Sequence, residues 1–409
     1  VTQSPQAQPP SVPVPKVAPP QTQQPQAQPQ TQQPAPVNGA SAVSPTVPLR
    51  RRASPPPASA SPASTATPHG SVTGPATSTA PPAQPANGPD PIRFGLCGAA
   101  GGGKTTFLAS LHIAVGDANQ RPGERWTMTA ADEASLNFMV DREQDLIVKR
   151  TFPVPTSAGT PLHWRIDGTL PPEPGRRGLL RRSQVPTPVS FSIDVEDQPG
   201  AVFLLDSSAV FQMSEKSLDR LANAQALMFL FDPMLEIGRA QAENSNWLYF
   251  NKLIQTLKMR LWHQNRLVDG RLPHHVAVCV TKFDNPAVFL PAFHARLIDI
   301  DENGIPRVPG DLAEEYFDWI CDQIDRQAVD SSTEQFKHLL RSELLDGHVH
   351  YFGTSSVGFW TDPSGQFSID DFQNFERVDG EWRLRGRIRP VNVLEPLIAI
   401  ERTIRLGGR

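Results

Sequence analysis

The stretch Arg93-Phe94-Gly95-Leu96-Cys97-Gly98-Ala99-Ala100-Gly101-Gly102-Gly103-Lys104-Thr105 decides the fold. Its first five residues form a short apolar run that reads as a buried strand. Phe107, Leu108, Leu111 and Val115 then recur at helical spacing. Between strand and helix, Gly98 to Thr105 fits G-x-x-x-x-G-K-[ST] at each fixed position. Glycines at these points let successive backbone N–H groups turn inward around an anion without Cβ clashes. The helix that follows aims the positive end of its dipole at the same anion. Lys104 supplies a point charge to the outer phosphates, and the Thr105 hydroxyl can ligate Mg²⁺. Gly98, Ala99, Ala100, Gly101, Gly102, Gly103, Lys104, Thr105 and Thr106 are therefore the expected phosphate contacts.

Downstream, near-continuous apolar runs alternate with helical patterns. Ala226 to Phe231 (ALMFLF), His275 to Val280 (HVAVCV) and His348 to Phe352 read as buried strands. His163 to Asp167 and Val189 to Val195 alternate like half-exposed ones. Helical stretches are expected over 131–147, 214–225, 244–263, 311–329 and 332–345. Gly380 suggests a late hairpin, and 392–404 a closing helix. Strands of this kind predict a mostly parallel sheet covered by helices on both faces, an α/β three-layer fold.

The strand ends carry the remaining chemistry. Thr281-Lys282-Phe283-Asp284 follows the HVAVCV strand and fits [NT]-K-x-D. A carboxylate at Asp284 can accept from the ring N–H and exocyclic amine of guanine together, a donor pair that adenine lacks. The Lys282 stem can lie along the base. Ser355 and Ser356, in Gly353-Thr354-Ser355-Ser356, offer a small-residue loop to the guanine carbonyl. Asp206 ends the apolar run 202–205 and is the expected Mg²⁺ acid. It continues as Ser207-Ser208-Ala209, with alanine where D-x-x-G has glycine, and Val210 follows where a water-orienting glutamine is expected. Asp197-Gln198-Pro199-Gly200 matches D-x-x-G better by letter, but reads as a turn that precedes its strand. Thr156, in the Pro-rich segment FPVPTSAGTP, is the candidate to close over Mg²⁺, with Thr151 and Thr160 as competitors.

In this order the motifs resemble the translation-factor-related class of P-loop GTPases over residues 92–358. FLFDP, VTKFD and VNVLEPL are similar to phrases of bacterial double-GTPase family proteins. The resemblance implies a Ras-like sheet, GTP/GDP and Mg²⁺ binding, and a conformational switch read by a protein partner. The departures at Ala209 and Val210 imply slow hydrolysis. A nucleotide-loaded interaction module without appreciable hydrolysis and an ATPase of the P-loop class are the alternatives.

The rest of the 409-residue sequence bounds the context. Residues 1–89 are dominated by Pro, Gln, Ala, Ser, Thr and Val and contain few large apolar side chains. That composition buries too little surface to offset the entropy of ordering, which predicts a disordered tail before a domain spanning 90–409. The loop GRRGLLRR, inside 171–188, reads as solvated. A formal net charge of -4 does not imply a nucleic-acid surface. The three cysteines, Cys97, Cys279 and Cys321, read as buried reduced thiols, which fits a cytoplasmic protein. No membrane span, zinc site or serine-hydrolase pattern is expected.

Overall fold

The computed structural model describes residues 90–154, 160–171, 186–197, 215–237, 245–328 and 331–407. The expected tail, the Arg-rich loop, the run 201–205, Thr156 and Asp206 lie outside these residues.

A seven-stranded sheet forms the centre. Its strands are β1 (Ile92–Gly98), β2 (Arg125–Ala130), β3 (Thr160–Leu170), β4 (Thr187–Asp197), β5 (Ala226–Phe231), β6 (His275–Val280) and, at the far edge, Val349–Gly353. Two residue pairs of the chain, β7 (Asp299–Ile300) and β8 (Pro306–Arg307), form a small separate ladder, so the edge strand Val349–Gly353 is β9. The sheet order is β2-β3-β4-β1-β5-β6-β9. β4, β1, β5, β6 and β9 run parallel, while the β2–β3 and β3–β4 pairings are antiparallel. The expected mostly parallel sheet is present, with antiparallel pairing confined to one side.

The two-residue period of the strands sorts their side chains onto two faces. Leu227, Phe229 and Phe231 of β5 join Val276, Val278 and Val280 of β6 in one core. That core is closed by α3 (Glu215–Asn223), α5 (Asn246–His263), α6 (Pro286–His294), α7 (Ala313–Gln327) and α8 (Thr333–Glu343), with the short α4 (Pro233–Ile237) between α3 and α5 in sequence. The intervening residues Ala226, Met228, Leu230, Ala277 and Cys279 face the opposite core. There Phe107, Leu108 and Leu111 of α1 (Lys104–Ala118) meet Leu397 and Ile400 of α9 (Glu395–Gly407). α2 (Glu133–Ile147) adds Phe138 and Met139 at its margin. Helices thus cover both faces.

Among the elements not legible as such in the sequence are β2 and α6. β2 pairs with β3 from Arg125↔Thr169 to Ala130↔Trp164 and extends the sheet by one strand. α6 begins at Pro286, holds Pro291 inside, and is capped by the Asn285 side chain, which accepts from the Ala287 amide at 2.9 Å. Proline at the first helical position is compatible with this start, because its missing N–H would have no helical partner there.

β4 runs past the expected end at Val195 and takes in Asp197 as its last residue, while residues 198–200 of the expected turn lie outside the described residues. It pairs with β3 along its whole length, from Thr187↔Leu170 to Asp197↔Thr160, and ends on Asp197. The long partner strand explains the extension, since a ladder continues for as long as both chains can stay extended.

Residues 357–391 form an appendage before α9. It contains the hairpin β10 (Phe375–Val378) and β11 (Glu381–Leu384), which turns at Asp379 and Gly380, both with positive φ. The appendage packs on α1 and on the segment after α2. Thr151 bridges to Arg383, the Leu384 amide donates to Arg150 O at 2.9 Å, and the Phe152 and Phe375 rings lie 6.1 Å apart.

Candidate functional site

The carboxyl ends of β1, β5, β6 and β9 open on one edge of the sheet, and the sequence motifs follow the ends of β1, β6 and β9. β1 lies between β4 and β5, where the chain changes direction across the sheet. Ligands of open α/β sheets bind at such a point.

The loop after β1 is built by its glycines. Gly101 and Gly103 have φ of 76° and 90°, the left-handed region that glycine enters without penalty. A Cβ on either would meet nothing within 4 Å, so their open sides face space. On the inner side, a Cβ at Gly102 would lie 3.1 Å from Ala99 O, and the Gly102 amide already donates to that carbonyl at 3.2 Å. Ala99 and Ala100 are buried beneath the curve. The Lys104 ammonium folds into the loop and donates to Gly98 O at 2.8 Å and Ala99 O at 3.0 Å. α1 starts at Lys104, with Thr105 and Thr106 in its first turn, and among the described residues no side chain caps it. Gly103 at the cap position, in place of Ser, Asp or Asn, leaves the positive end of the helix facing the loop. Curvature, open side, lysine and helix end fit a chain of phosphates. Below the loop, Cys97 is buried, and burial pushes its thiol up to about 12, so it is not a nucleophile at neutral pH.

The loop after β6 holds the second motif. The Thr281 hydroxyl donates to Phe231 O at 3.2 Å, tying β6 to β5. Lys282 takes a left-handed backbone, φ 56°, and its ammonium lies 2.6 Å from the Asp232 carboxylate at the end of β5. Phe283 is fully buried against Phe289, Tyr316 and Phe359 and anchors the loop in the core. Its amide donates to Thr354 O at 3.1 Å, which joins this loop to the one after β9.

Asp284 is 6% exposed and hydrogen-bonds the Ser355 side chain. Burial pushes its carboxyl above the ordinary range, while Ser355 and the nearby Lys282 oppose that shift. Ser355 is itself buried, and its hydroxyl oxygen accepts from the Gly358 amide at 2.8 Å. Its backbone exchanges hydrogen bonds with Val391, at 3.0 and 2.8 Å. Ser356 is half-buried beside it. Asp284 and Ser355, which sequence reading placed in separate motifs, are therefore in direct contact.

Three features escaped sequence reading. Tyr249 of α5 hydrogen-bonds the Gly98 backbone, and burial pushes its phenol up. Asp232, fully buried, stands in the sequence only as the acid of FLFDP, with no role of its own. Asp197 is the last residue of β4, the strand next to β1. β1 and β4 are last paired at Gly95↔Asp194, and each continues three residues further, to Gly98 and Asp197. In the sequence Asp197 is marked by the D-x-x-G spelling of residues 197–200, of which Asp197 alone is described.

No protein-family model matches the chain. No curated protein matches it. Among solved structures, it is similar to a signal recognition particle receptor SRb-GTP/SRX complex from Chaetomium thermophilum, at 15% identity and a TM-score of 0.28, over 67% of this chain and 94% of that one. It is also similar to Sup35 complexed with GDP, at 12% identity and a TM-score of 0.24, and to Sup35 complexed with GMPPNP, at 11% and 0.26. Each of these matches covers 68% of this chain and 41% of the Sup35 chain. The class is defined by this chain's own geometry: an α/β P-loop fold with a mostly parallel, Ras-like sheet. Among the described residues no helix is long and apolar enough to cross a membrane.

Proposed function

We propose that this chain binds guanine nucleotides and is a slow, Mg²⁺-dependent GTPase that acts as a regulatory switch. The observation that carries the reading is the placement of the buried Asp284–Ser355 pair. It sits at the same sheet edge as the Gly98–Thr105 loop and two strands away. Two strand spacings are about 10 Å, a span that a nucleotide bridges between its phosphates and its base. Asp284 accepts from guanine, and Ser355 and Ser356 line the carbonyl side. The loop amides and Lys104 hold the phosphates.

When bound, Mg²⁺ supplies charge neutralisation at the outer phosphates. Thr105 is positioned to hold it, and the candidates for the remaining protein ligands are Asp206, Thr156 and, from the extent of β4, Asp197. Lys104 and the loop amides stabilise charge on the transferred group. Slow hydrolysis follows from what is missing. After D-x-x-x the next residue is Ala201 if Asp197 is the acid and Val210 if it is Asp206, and neither can orient water. A protein partner that reads the nucleotide state, a cytoplasmic setting and membership of the bacterial double-GTPase family belong to the same proposal. The spellings FLFDP, VTKFD and VNVLEPL support the last of these.

A competition titration with GTP, GDP and ATP tests the reading. GTP and GDP are expected to displace a fluorescent GDP, and ATP is not. Equal affinity for ATP and GTP would remove the guanine assignment in favour of an ATPase.

A further inference from the structure

Asp232 is a carboxylate with no exposed surface, set directly after β5. A buried charge costs several kcal/mol unless it is compensated, so its partners indicate what it is for. One oxygen accepts from the Met234 amide at 3.0 Å. Its own amide and carbonyl are both held by the Asn246 side chain, at 3.0 and 2.9 Å. Asn246 is fixed in turn by Glu236, at 2.8 Å to its amide and 3.1 Å to its side chain. The Ser332 hydroxyl donates to the other Glu236 oxygen at 3.2 Å. This buried polar frame immobilises Asp232.

The second oxygen, Oδ2, has one visible partner among the described residues, the Lys282 ammonium at 2.6 Å. The contact is an ion pair at hydrogen-bonding distance. Lys282 is half-exposed, while the carboxylate beneath it is not.

Strand order shows why this matters. β5 lies between β1, which carries the phosphate loop, and β6, which carries Asp284. A nucleotide reaching from one to the other crosses the end of β5. Phe231 and Val280 are level in the β5–β6 ladder, so Asp232 lies at that crossing and Lys282 reaches back from β6 toward it. The lysine's four methylenes are thereby drawn across the path of the base.

Resting on the guanine-nucleotide reading above, we propose that Asp232 is a positioning residue of the base site. By anchoring the Lys282 ammonium it holds the lysine stem as an apolar floor under the purine.

The test uses the full chain and fluorescent GDP. Asp232→Asn is nearly isosteric and keeps an oxygen for the Met234 amide. It is expected to weaken GDP roughly tenfold, the scale of one lost charge-assisted contact. Competition by inorganic pyrophosphate, which engages only the phosphate loop, should be unchanged. Lys282→Ala should weaken GDP similarly, and the double variant no more than the larger single loss. Unchanged GDP affinity in Asp232→Asn, equal loss of pyrophosphate and GDP, or losses that multiply would each overturn the proposal. If Asp232→Asn does not fold, Asp232→Ser enters the same cycle. A native protein that shows no preference for GDP over ADP would instead overturn the guanine reading on which the proposal rests.

Discussion

Gly98 lies level with Leu230 in the parallel β1–β5 ladder, and a Cβ on Gly98 would stand 3.0 Å from Leu230 O. The first glycine of the phosphate loop is thus required by the neighbouring strand as well as by the ligand. Leu230 is fully buried and its carbonyl is backbone, so it cannot swing aside. Gly98→Ala is expected to destabilise the fold by about 1–3 kcal/mol, the usual cost of overpacking a filled site, as read by urea denaturation without nucleotide.

Lys104 behaves differently. Its ammonium contacts loop carbonyls, whose hydrogen bonds water can replace at this half-exposed position. Lys104→Ala should leave the urea midpoint nearly unchanged and abolish detectable GTP and GDP binding. A large fall in stability without nucleotide would mean that the lysine supports the fold itself.

Nucleotide affinity should depend on pH through Asp284. Burial raises its carboxyl pKa in the free protein, and guanine donors would favour the ionised form in the complex. Protonation in the free protein therefore competes with binding, so GDP affinity should fall as pH drops from 7 toward 5. Asp284→Asn should remove most of that slope and weaken the preference for guanine over adenine by roughly ten- to a hundredfold, the range for one buried polar pairing. Calorimetric titrations at several pH values with both proteins read this directly.

Acid stability should be governed in part by histidines at the opposite sheet edge. His274 is buried and His275 stacks on His348 with ring centroids 3.8 Å apart. Burial depresses both His274 and His275 to about 4, helped at His275 by His348 and His350 and at His274 by Arg266. Both pKa values lie below the ordinary histidine value of about 6.5, so the unfolded chain binds more protons between the two. The stability they contribute is complete above about pH 6.5 and is lost as pH falls toward 4. The urea midpoint should drop between pH 7 and pH 5, and His275→Gln should flatten that decline. An unaltered slope in the variant would remove His275 from the account.

The local sequence determined the phosphate loop, the start of α1, the strand ends at Phe231 and Val280, and that of β9 to within one residue. Their signals lie within a dozen consecutive residues. The spacing G-x-x-x-x-G-K-T fixes loop geometry by backbone sterics alone, and an unbroken apolar run such as ALMFLF has nowhere to go but a buried strand. Tertiary structure decided the rest. β4 reaches Asp197 because eleven residues of β3 pair with it, and no local pattern in 187–197 states where its partner ends. Asp284 meets Ser355, and Asp232 meets Lys282, only because β5, β6 and β9 are neighbours. The Asp232–Lys282 pair joins residues 50 positions apart, and contacts at that separation are set by which strands share a sheet. The chain's own letters give the chemistry at each strand end, and the order of the strands determines which of those chemistries can act on one ligand.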